Sequence, residues 1–133
     1  MSRTVLFLCP HNAAKSVIAA AYFERLATQV GLDFQAASAG TEPDAQAASA
    51  VVEILKAEGI DTSKHVPRHV TREDLADAFR VVSLGCDVRE LAPAGTAIAY
   101  WDDVPPPSQN LTAARNSILQ HVEQLVGELR EAN

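Results

Sequence analysis

Residues 4–16 read TVLFLCPHNAAKS, a continuous apolar run that passes through a short polar turn into an alanine-rich segment. The run at residues 4–8 is typical of a strand that is buried on both faces of a sheet. From residue 13 to about residue 30 the apolar residues recur with helical spacing, and Gly31 follows as a helix-ending residue. This stretch therefore predicts a buried strand that leads directly into a helix.

The rest of the chain repeats this alternation of strands and helices. Strands are predicted at residues 33–37, 79–84 and 96–101, and helices at residues 43–58, 71–78 and 111–130. Pro43 suits the start of the second helix, and Thr71 with Asp74 resembles a capping box at the start of the third. The alternation predicts a three-layer α/β fold, in which helices cover both faces of a four-stranded parallel sheet. The length fits a single domain over residues 1–133.

Composition narrows the functional classes. Apolar residues make up 47% of the chain, enough for a core, and the net charge of −6 argues against a nucleic-acid partner. No apolar segment is long enough to span a membrane, and residues 5–8 are too short for a signal peptide, so a cytoplasmic protein is expected. Cys9 and Cys86 are then expected to be reduced, and without a Cys-x-x-Cys pair no metal site is predicted.

The turn after the first strand is the main candidate site. Its backbone amides and the start of the following helix converge on one place, which favours an anion. The helix dipole and the cation of Lys15 favour the thiolate of Cys9, while Ser16 can donate a hydrogen bond to the sulfur or to a ligand. A cysteine here could also be a small buried hydrophobe that ends a strand. Asn12, Lys15 and Ser16 follow Cys9 at fixed offsets, and this combination favours the interpretation of Cys9 as a nucleophile.

A nucleotide-binding P-loop is the rival interpretation of this turn, because it also ends in Lys-Ser. That motif requires two glycines, whose positions are occupied here by Cys9 and Ala14. Side chains at those positions obstruct the wrapping of backbone amides around phosphates, which argues against nucleoside triphosphates. The residues predicted to bind a smaller oxyanion are His11, Asn12, Ala13, Ala14, Lys15 and Ser16.

Residues 5–16 resemble the phosphate-binding loop of the low-molecular-weight protein tyrosine phosphatases and of the arsenate reductases built on the same fold. That loop reads Cys, five residues, Arg, then Ser, with an Asn three positions after the Cys; Cys9, Asn12 and Ser16 match it. The SAGTEP segment at residues 38–43 is similar to a turn typical of the reductase branch. Residues 59–61 and 81–86 also resemble segments of that branch, so the similarity covers nearly the whole chain.

The resemblance implies a cysteine-dependent enzyme. In the arsenate reductase interpretation, the Cys9 thiolate attacks arsenate, which Lys15 and the loop amides hold. Hydrolysis of a phosphate monoester through a phosphocysteine is the first alternative, and the absence of the tyrosine that usually follows the phosphatase Asp-Pro weakens phosphotyrosine as substrate. A weakly catalytic relative that only binds phosphate-like oxyanions is the second.

Two departures from the family loop bear on these alternatives. The family's arginine is Lys15 here, and lysine offers a point charge in place of a planar fork that can grip two oxygens. The loss of that fork keeps the weakly catalytic alternative open. The family's glycine two positions after the cysteine is His11, which either crowds the loop or contributes a hydrogen-bond donor.

The resemblance also implies a general acid and a reductant. Asp102 or Asp103 corresponds to the loop aspartate that protonates the leaving oxygen, although both could simply be solvated carboxylates in a turn. Cys86 corresponds to a second cysteine that attacks the first during arsenate reduction, or it is inert. No cofactor is implied; a reductase would use an external thiol, either a small thiol or a glutaredoxin-type protein.

Two further residues are predicted to support the loop. His65 lies where the phosphatases often have a histidine that hydrogen-bonds the loop asparagine, and with Ser38 and Asn12 it could hold the shape of the loop. A solvated surface histidine is the alternative. Phe7 and Trp101 are predicted to be core residues, not a platform for the substrate.

Overall fold

The computed structural model describes residues 3–132, in which the strands and helices follow one another in the predicted order. The strands are β1 (Arg3–Leu8), β2 (Phe34–Ala39), β3 (Arg80–Ser83) and β4 (Ile98–Tyr100). The helices are α1 (Lys15–Gln29), α2 (Ser49–Ala57), α3 (Arg72–Asp77) and α4 (Leu111–Ala132). Within this part of the chain, no helix combines the length and the apolar character that crossing a membrane requires.

The four strands form one parallel sheet in the order β2-β1-β3-β4. Leu8 at the end of the central strand β1 is paired with Ala39 on β2 and with Ser83 on β3. The carboxyl ends of these three strands therefore meet at one edge of the sheet. In a parallel sheet this edge is where ligands bind, and the turn after β1 stands at its middle.

Both faces of the sheet are covered, which confirms the predicted three-layer architecture. Val5 and Phe7 pack in a core cluster with residues of α1, α2 and α4, whereas Leu6 and Leu8 pack on the opposite face with Leu75 of α3. The strand alternates between the two faces because successive side chains of a strand point in opposite directions. The rings of Phe7 and Trp101 lie 5.8 Å apart within the first cluster, so both are core residues as predicted.

The second helix is shorter than predicted, because it begins at Ser49 and not near Pro43. The preceding segment instead bonds to the turn after β1. The backbone amides of Glu42, Asp44 and Ala48 donate to carbonyl groups of residues 10, 11 and 13, at 2.7, 3.0 and 3.0 Å. These bonds join residues 41–48 to the turn, which makes them one wall of the candidate site. The capping box of α3 is present as predicted, with both of its reciprocal bonds between Thr71 and Asp74.

Candidate active site

Cys9 stands at the end of β1 with its sulfur at the start of α1. The residue is only 4% exposed, and the backbone N–H of Ser16 donates to its Sγ over 3.3 Å. This N–H belongs to the first turn of the helix, where amides have no partner within the helix. The Cys9 thiol in turn donates to the hydroxyl oxygen of Ser16 over 3.0 Å. The sulfur thus has two hydrogen-bond partners on Ser16: a backbone amide that donates to it, and a hydroxyl that accepts from the thiol and can donate to a thiolate.

Asn12 controls the direction of the Ser16 hydroxyl. Its side chain is fully buried, and Nδ2 donates to Oγ of Ser16 over 2.9 Å. The Oδ1 atom accepts a 3.1 Å bond from the backbone N–H of Arg68, which fixes the orientation of the amide. Because Ser16 Oγ already accepts from Asn12, its own proton is free to point at a Cys9 thiolate. The backbone of Asn12 has φ of 51°, a left-handed conformation that asparagine tolerates better than most residues.

Of the two residues predicted to support the loop, His65 hydrogen-bonds to Asn12, whereas in the described part of the chain Ser38 does not. His65 Nε2 lies 3.0 Å from the backbone oxygen of Asn12, so the predicted contact exists, although it reaches the main chain. Ser38 is paired with Phe7 across the sheet, and within residues 3–132 no hydrogen bond joins it to Asn12. The side-chain oxygen of Asn12 is taken by the backbone of Arg68 instead. A backbone donor leaves no signature in the sequence, which is why this partner could not be predicted.

Lys15 places a positive charge beside the loop. It is the first residue of α1, and among the described residues no carboxylate forms a salt bridge with it. A Cβ built on Gly85 would lie 3.6 Å from its Nζ, so the ammonium group reaches the turn after β3. The charge therefore lies between the two strand ends that flank the site, where it is available to a bound anion.

His11 and Asp44 form a pair at the same place. The Nδ1 atom of His11 lies 3.3 Å from Oδ1 of Asp44 and 3.1 Å from the backbone oxygen of Glu42. Asn12 is the one non-glycine residue with positive φ in the described part of the chain, so His11 needs no glycine-like conformation here. Histidine is therefore accommodated without backbone strain where the family loop has glycine.

A cleft of about 480 Å³ opens at these residues. Cys9, His11, Lys15 and Asp44 contribute its chemical groups. Most of its remaining wall is apolar: Pro10, Ala13, Ala14, Ala48, Ala50, Val51, Pro107 and Leu111. The structure thus brings together the nucleophile, the cation and the start of the helix around one cavity.

The two aspartates predicted as general acids do not line this cleft. The loop after β4 contributes Pro107 and Ser108 to the cleft wall, but neither Asp102 nor Asp103. Asp103 Oδ1 lies 2.8 Å from Nε2 of His121, a hydrogen bond that lowers the pKa of Asp103. A carboxyl with a lowered pKa stays ionised and is a poor proton donor. Asp102 is exposed and is not among the residues that line the cleft.

Cys86 lies in the turn after β3, near Cys9 along the same edge of the sheet. Its backbone N–H donates to Ser83 Oγ over 3.2 Å, and the Ser83 hydroxyl donates to its backbone oxygen over 2.6 Å. Burial raises the pKa of the Cys86 thiol, although the hydrogen bond from Ser83 partly opposes this effect. The two cysteines pack on opposite faces of the sheet, Cys9 towards α1 and α4 and Cys86 beside Val88.

Comparison with known proteins places these features in a family context. Residues 4–132 match the family model described as low molecular weight phosphotyrosine protein phosphatase. A curated relative from Halobacterium salinarum, named "Putative arsenate reductase", is 30% identical over 125 residues, which cover 92% of this chain and 87% of the relative.

Solved structures with the same fold cover nearly all of the chain. The arsenate reductase of Archaeoglobus fulgidus is 30% identical, with a TM-score of 0.77 over 92% of this chain and 98% of that one. YfkJ of Bacillus subtilis is 26% identical, with a TM-score of 0.89 over 100% and 98% of the two chains. The resemblance drawn from the cysteine loop therefore extends to the whole architecture.

Proposed function

The chain belongs to the low molecular weight phosphotyrosine protein phosphatase family, and we propose that within it this protein is an arsenate reductase-like enzyme with Cys9 as nucleophile. One observation carries the proposal: the backbone amide and the hydroxyl of Ser16 both bond to the Cys9 sulfur, and Asn12 orients that hydroxyl. The ammonium group of Lys15 lies beside them, and no carboxylate of residues 3–132 forms a salt bridge with it. Two relatives at 30% identity that are named as arsenate reductases support arsenate as the oxyanion.

The first step follows from this geometry. The Cys9 thiolate attacks arsenic, a sulfur–arsenic bond forms, and one oxygen leaves as water after it is protonated. Lys15 and the free amides at the start of α1 stabilise the negative charge on the remaining oxygens. Arsenic stays pentavalent in this step, because no electrons have yet been transferred to it.

Reduction requires a second thiol. Its thiolate attacks the Cys9 sulfur, a disulfide forms, and the electron pair of the sulfur–arsenic bond stays with arsenic, which leaves as trivalent arsenite. An external thiol, either a small thiol or a glutaredoxin-type protein, fits this step better than Cys86. The raised pKa of Cys86 leaves little of its nucleophilic thiolate at neutral pH.

The apolar wall of the cleft favours a second candidate function. Arsenate is small and polar, whereas the cavity of about 480 Å³ beside Cys9 is lined by Ala48, Val51 and Leu111 among others. Such a surface suits the organic leaving group of a phosphate monoester. In that reaction Cys9 displaces the alcohol to form a phosphocysteine, which water then hydrolyses.

Parallel assays distinguish the candidates. We expect arsenate to be reduced in the presence of a small thiol or glutaredoxin, and Cys9→Ser to abolish the reaction. Turnover of an aryl phosphate without arsenate reduction would replace the reductase with a phosphatase. If neither substrate is turned over, the remaining function is oxyanion binding. In that case inorganic phosphate should bind in the loop and protect Cys9 from alkylation.

A further inference from the structure

His11 is held in one orientation by acceptors on a single ring nitrogen. Nδ1 faces the backbone oxygen of Glu42 at 3.1 Å and the carboxylate of Asp44 at 3.3 Å. A carbonyl oxygen only accepts hydrogen bonds, so Nδ1 carries a proton. Nε2 is then the nitrogen that gains and loses a proton, and within residues 3–132 it has no hydrogen-bond partner. A carboxylate that fixes the tautomer of an imidazole in this way is a recurrent feature of catalytic histidines.

We propose that His11, positioned by Asp44, donates the proton to the leaving oxygen in the reaction at Cys9. The proposal rests on the proposed function of the site. The family resemblance assigns the proton transfer to Asp102 or Asp103, and not to this position, where the family loop has glycine.

The location of His11 supports this role. It lines the same cleft as Cys9 and Lys15, whereas Asp102 and Asp103 do not. The Asp44 carboxylate and the Glu42 carbonyl face His11, and the Lys15 and Cys9 side chains line the same cleft. The side chains of His11 and Asp44 are 60% and 54% exposed, so the ring can be reprotonated from water.

The step balances in protons and bonds. The Cys9 thiolate bonds to arsenic, the bond from arsenic to one hydroxyl group breaks, and that oxygen takes the Nε2 proton and leaves as water. His11 is left neutral and recovers its proton from solvent. With a phosphate ester the same proton goes to the oxygen of the departing alcohol.

Dependence on the leaving group tests the proposal in the full-length protein. A proton donor matters for a poor leaving group and little for one that is stable as an anion. We expect His11→Gln to slow the hydrolysis of phenyl phosphate by at least about 100-fold, and that of 2,4-dinitrophenyl phosphate by less than about threefold. Asp44→Asn is expected to produce a smaller loss with the same pattern, since it removes only the positioning group.

Two further variants serve as controls: one at a histidine outside the cleft, and one at Asp102, the alternative proton donor. His69→Gln changes an exposed histidine outside the cleft and is expected to leave both rates unchanged. If Asp102→Asn gives the leaving-group dependence and His11→Gln does not, the proposal is overturned. A wild-type protein that turns over neither arsenate nor aryl phosphates overturns the proposed function together with it, whereas a failure confined to His11→Gln overturns only the role of His11.

A spectroscopic measurement is independent of turnover. Nitrogen-15 NMR of the wild-type protein should show neutral His11 with its proton on Nδ1, and Asp44→Asn should increase the population of the other tautomer. Neutral His11 with its proton on Nε2 in the wild-type protein would contradict the geometry from which the proposal starts.

Discussion

The side-chain amide of Asn12 donates a 2.9 Å hydrogen bond to the hydroxyl of Ser16, and both side chains are fully buried. Ser16 connects this bond to Cys9, because its hydroxyl oxygen is 3.0 Å from the sulfur. Asn12 connects it to residues 65–68, because His65 and the backbone N–H of Arg68 bond to the two oxygen atoms of Asn12. One buried asparagine thus links the nucleophile to a segment more than fifty residues away.

The first prediction concerns the reactivity of Cys9. Asn12→Gly permits the left-handed backbone but removes the amide, so the alkylation of Cys9 by iodoacetamide at neutral pH should slow by about tenfold. Asn12→Ala should slow it similarly and also lower the free energy of unfolding by about 1 kcal/mol more, because alanine is strained at positive φ. The rates are measured in a Cys86→Ala background. An unchanged rate in Asn12→Gly would show that the asparagine supports only the fold.

The second prediction concerns Gly40, which the end of β2 brings against the loop. A Cβ on Gly40 would lie 2.5 Å from the backbone oxygen of Pro10 and 2.7 Å from that of Cys9. Gly40→Ala should therefore lower the free energy of unfolding by about 1–3 kcal/mol and slow the alkylation of Cys9. Gly127→Ala is the matched control, because its Cβ meets nothing within 4 Å and its helix should be stabilised by up to about 1 kcal/mol. Equal stabilities for the two variants would contradict the close approach.

Much of this architecture could be predicted because its signals are local. The apolar run before Cys9 and the alternation of strands with helices depend on residue type and spacing, and both predicted the sheet. The prediction of Cys9 as nucleophile also depends on local signals. An anion site at the start of a helix is a property of the backbone, and Cys9 lies at such a start.

The parts that could not be predicted depend on long-range contacts. Helix α2 begins later than its sequence pattern predicts, because backbone bonds from residues 42–48 to the loop compete with the helix. The partner of Asn12 is a backbone amide of Arg68, for which any residue type would serve. Asp44 was not predicted as part of the site, since its proximity to His11 arises only when the loop and the second wall meet.

The third prediction concerns the substitution that separates this loop from the family pattern. Lys15→Arg restores a planar fork with several N–H donors, so turnover of a small aryl phosphate should rise by at least about tenfold if the pocket can accept it. The steady-state rate of wild type and variant is compared at saturating substrate. A lower rate or weaker phosphate binding in Lys15→Arg would show that the pocket beside Gly85 has adapted to lysine.

The fourth prediction concerns a polar cluster that joins three helices. The Tyr22 hydroxyl on α1 donates to the Glu58 carboxylate at the end of α2, and Arg115 of α4 pairs with that carboxylate. Burial and the bond to Glu58 raise the pKa of Tyr22 to about 12. Since the folded state holds this proton more tightly than the unfolded chain, the resulting stability is present below about pH 10 and is lost as the pH rises towards 12.

Urea denaturation at alkaline pH tests whether stability falls as the pH rises. The free energy of unfolding of the wild type should fall between about pH 10 and pH 12, and Tyr22→Phe should flatten that fall. Tyr100→Phe is the control, because Tyr100 lies half-exposed on β4 and should leave the fall in place. If the free energy of unfolding of Tyr22→Phe falls with pH in parallel with that of the wild type, Tyr22 is not the cause of the fall.

The last prediction concerns Cys86. Its side chain packs on the face of the sheet opposite to Cys9, and burial raises the pKa of its thiol. A disulfide needs Cα atoms within about 7 Å and a thiolate as attacking group, so an intramolecular relay requires both a movement of the turn and deprotonation. We therefore expect one arsenate turnover at neutral pH without external thiol to leave little Cys9–Cys86 disulfide by peptide mapping. The yield should rise with pH, because a raised pKa moves thiolate formation to higher pH.

The complementary variant is Cys86→Ser in the presence of a small thiol. Its arsenate reduction should stay within about twofold of the wild-type rate, because the external thiol attacks Cys9 directly. Hydrolysis of an aryl phosphate should also persist, since that reaction needs only Cys9 and water. A disulfide that forms rapidly at neutral pH, together with loss of arsenate reduction but not of phosphatase activity in Cys86→Ser, would assign the second step to Cys86. Such a result would also mean that the turn around Gly85 moves during turnover, because the resting structure keeps the two cysteines on opposite faces of the sheet.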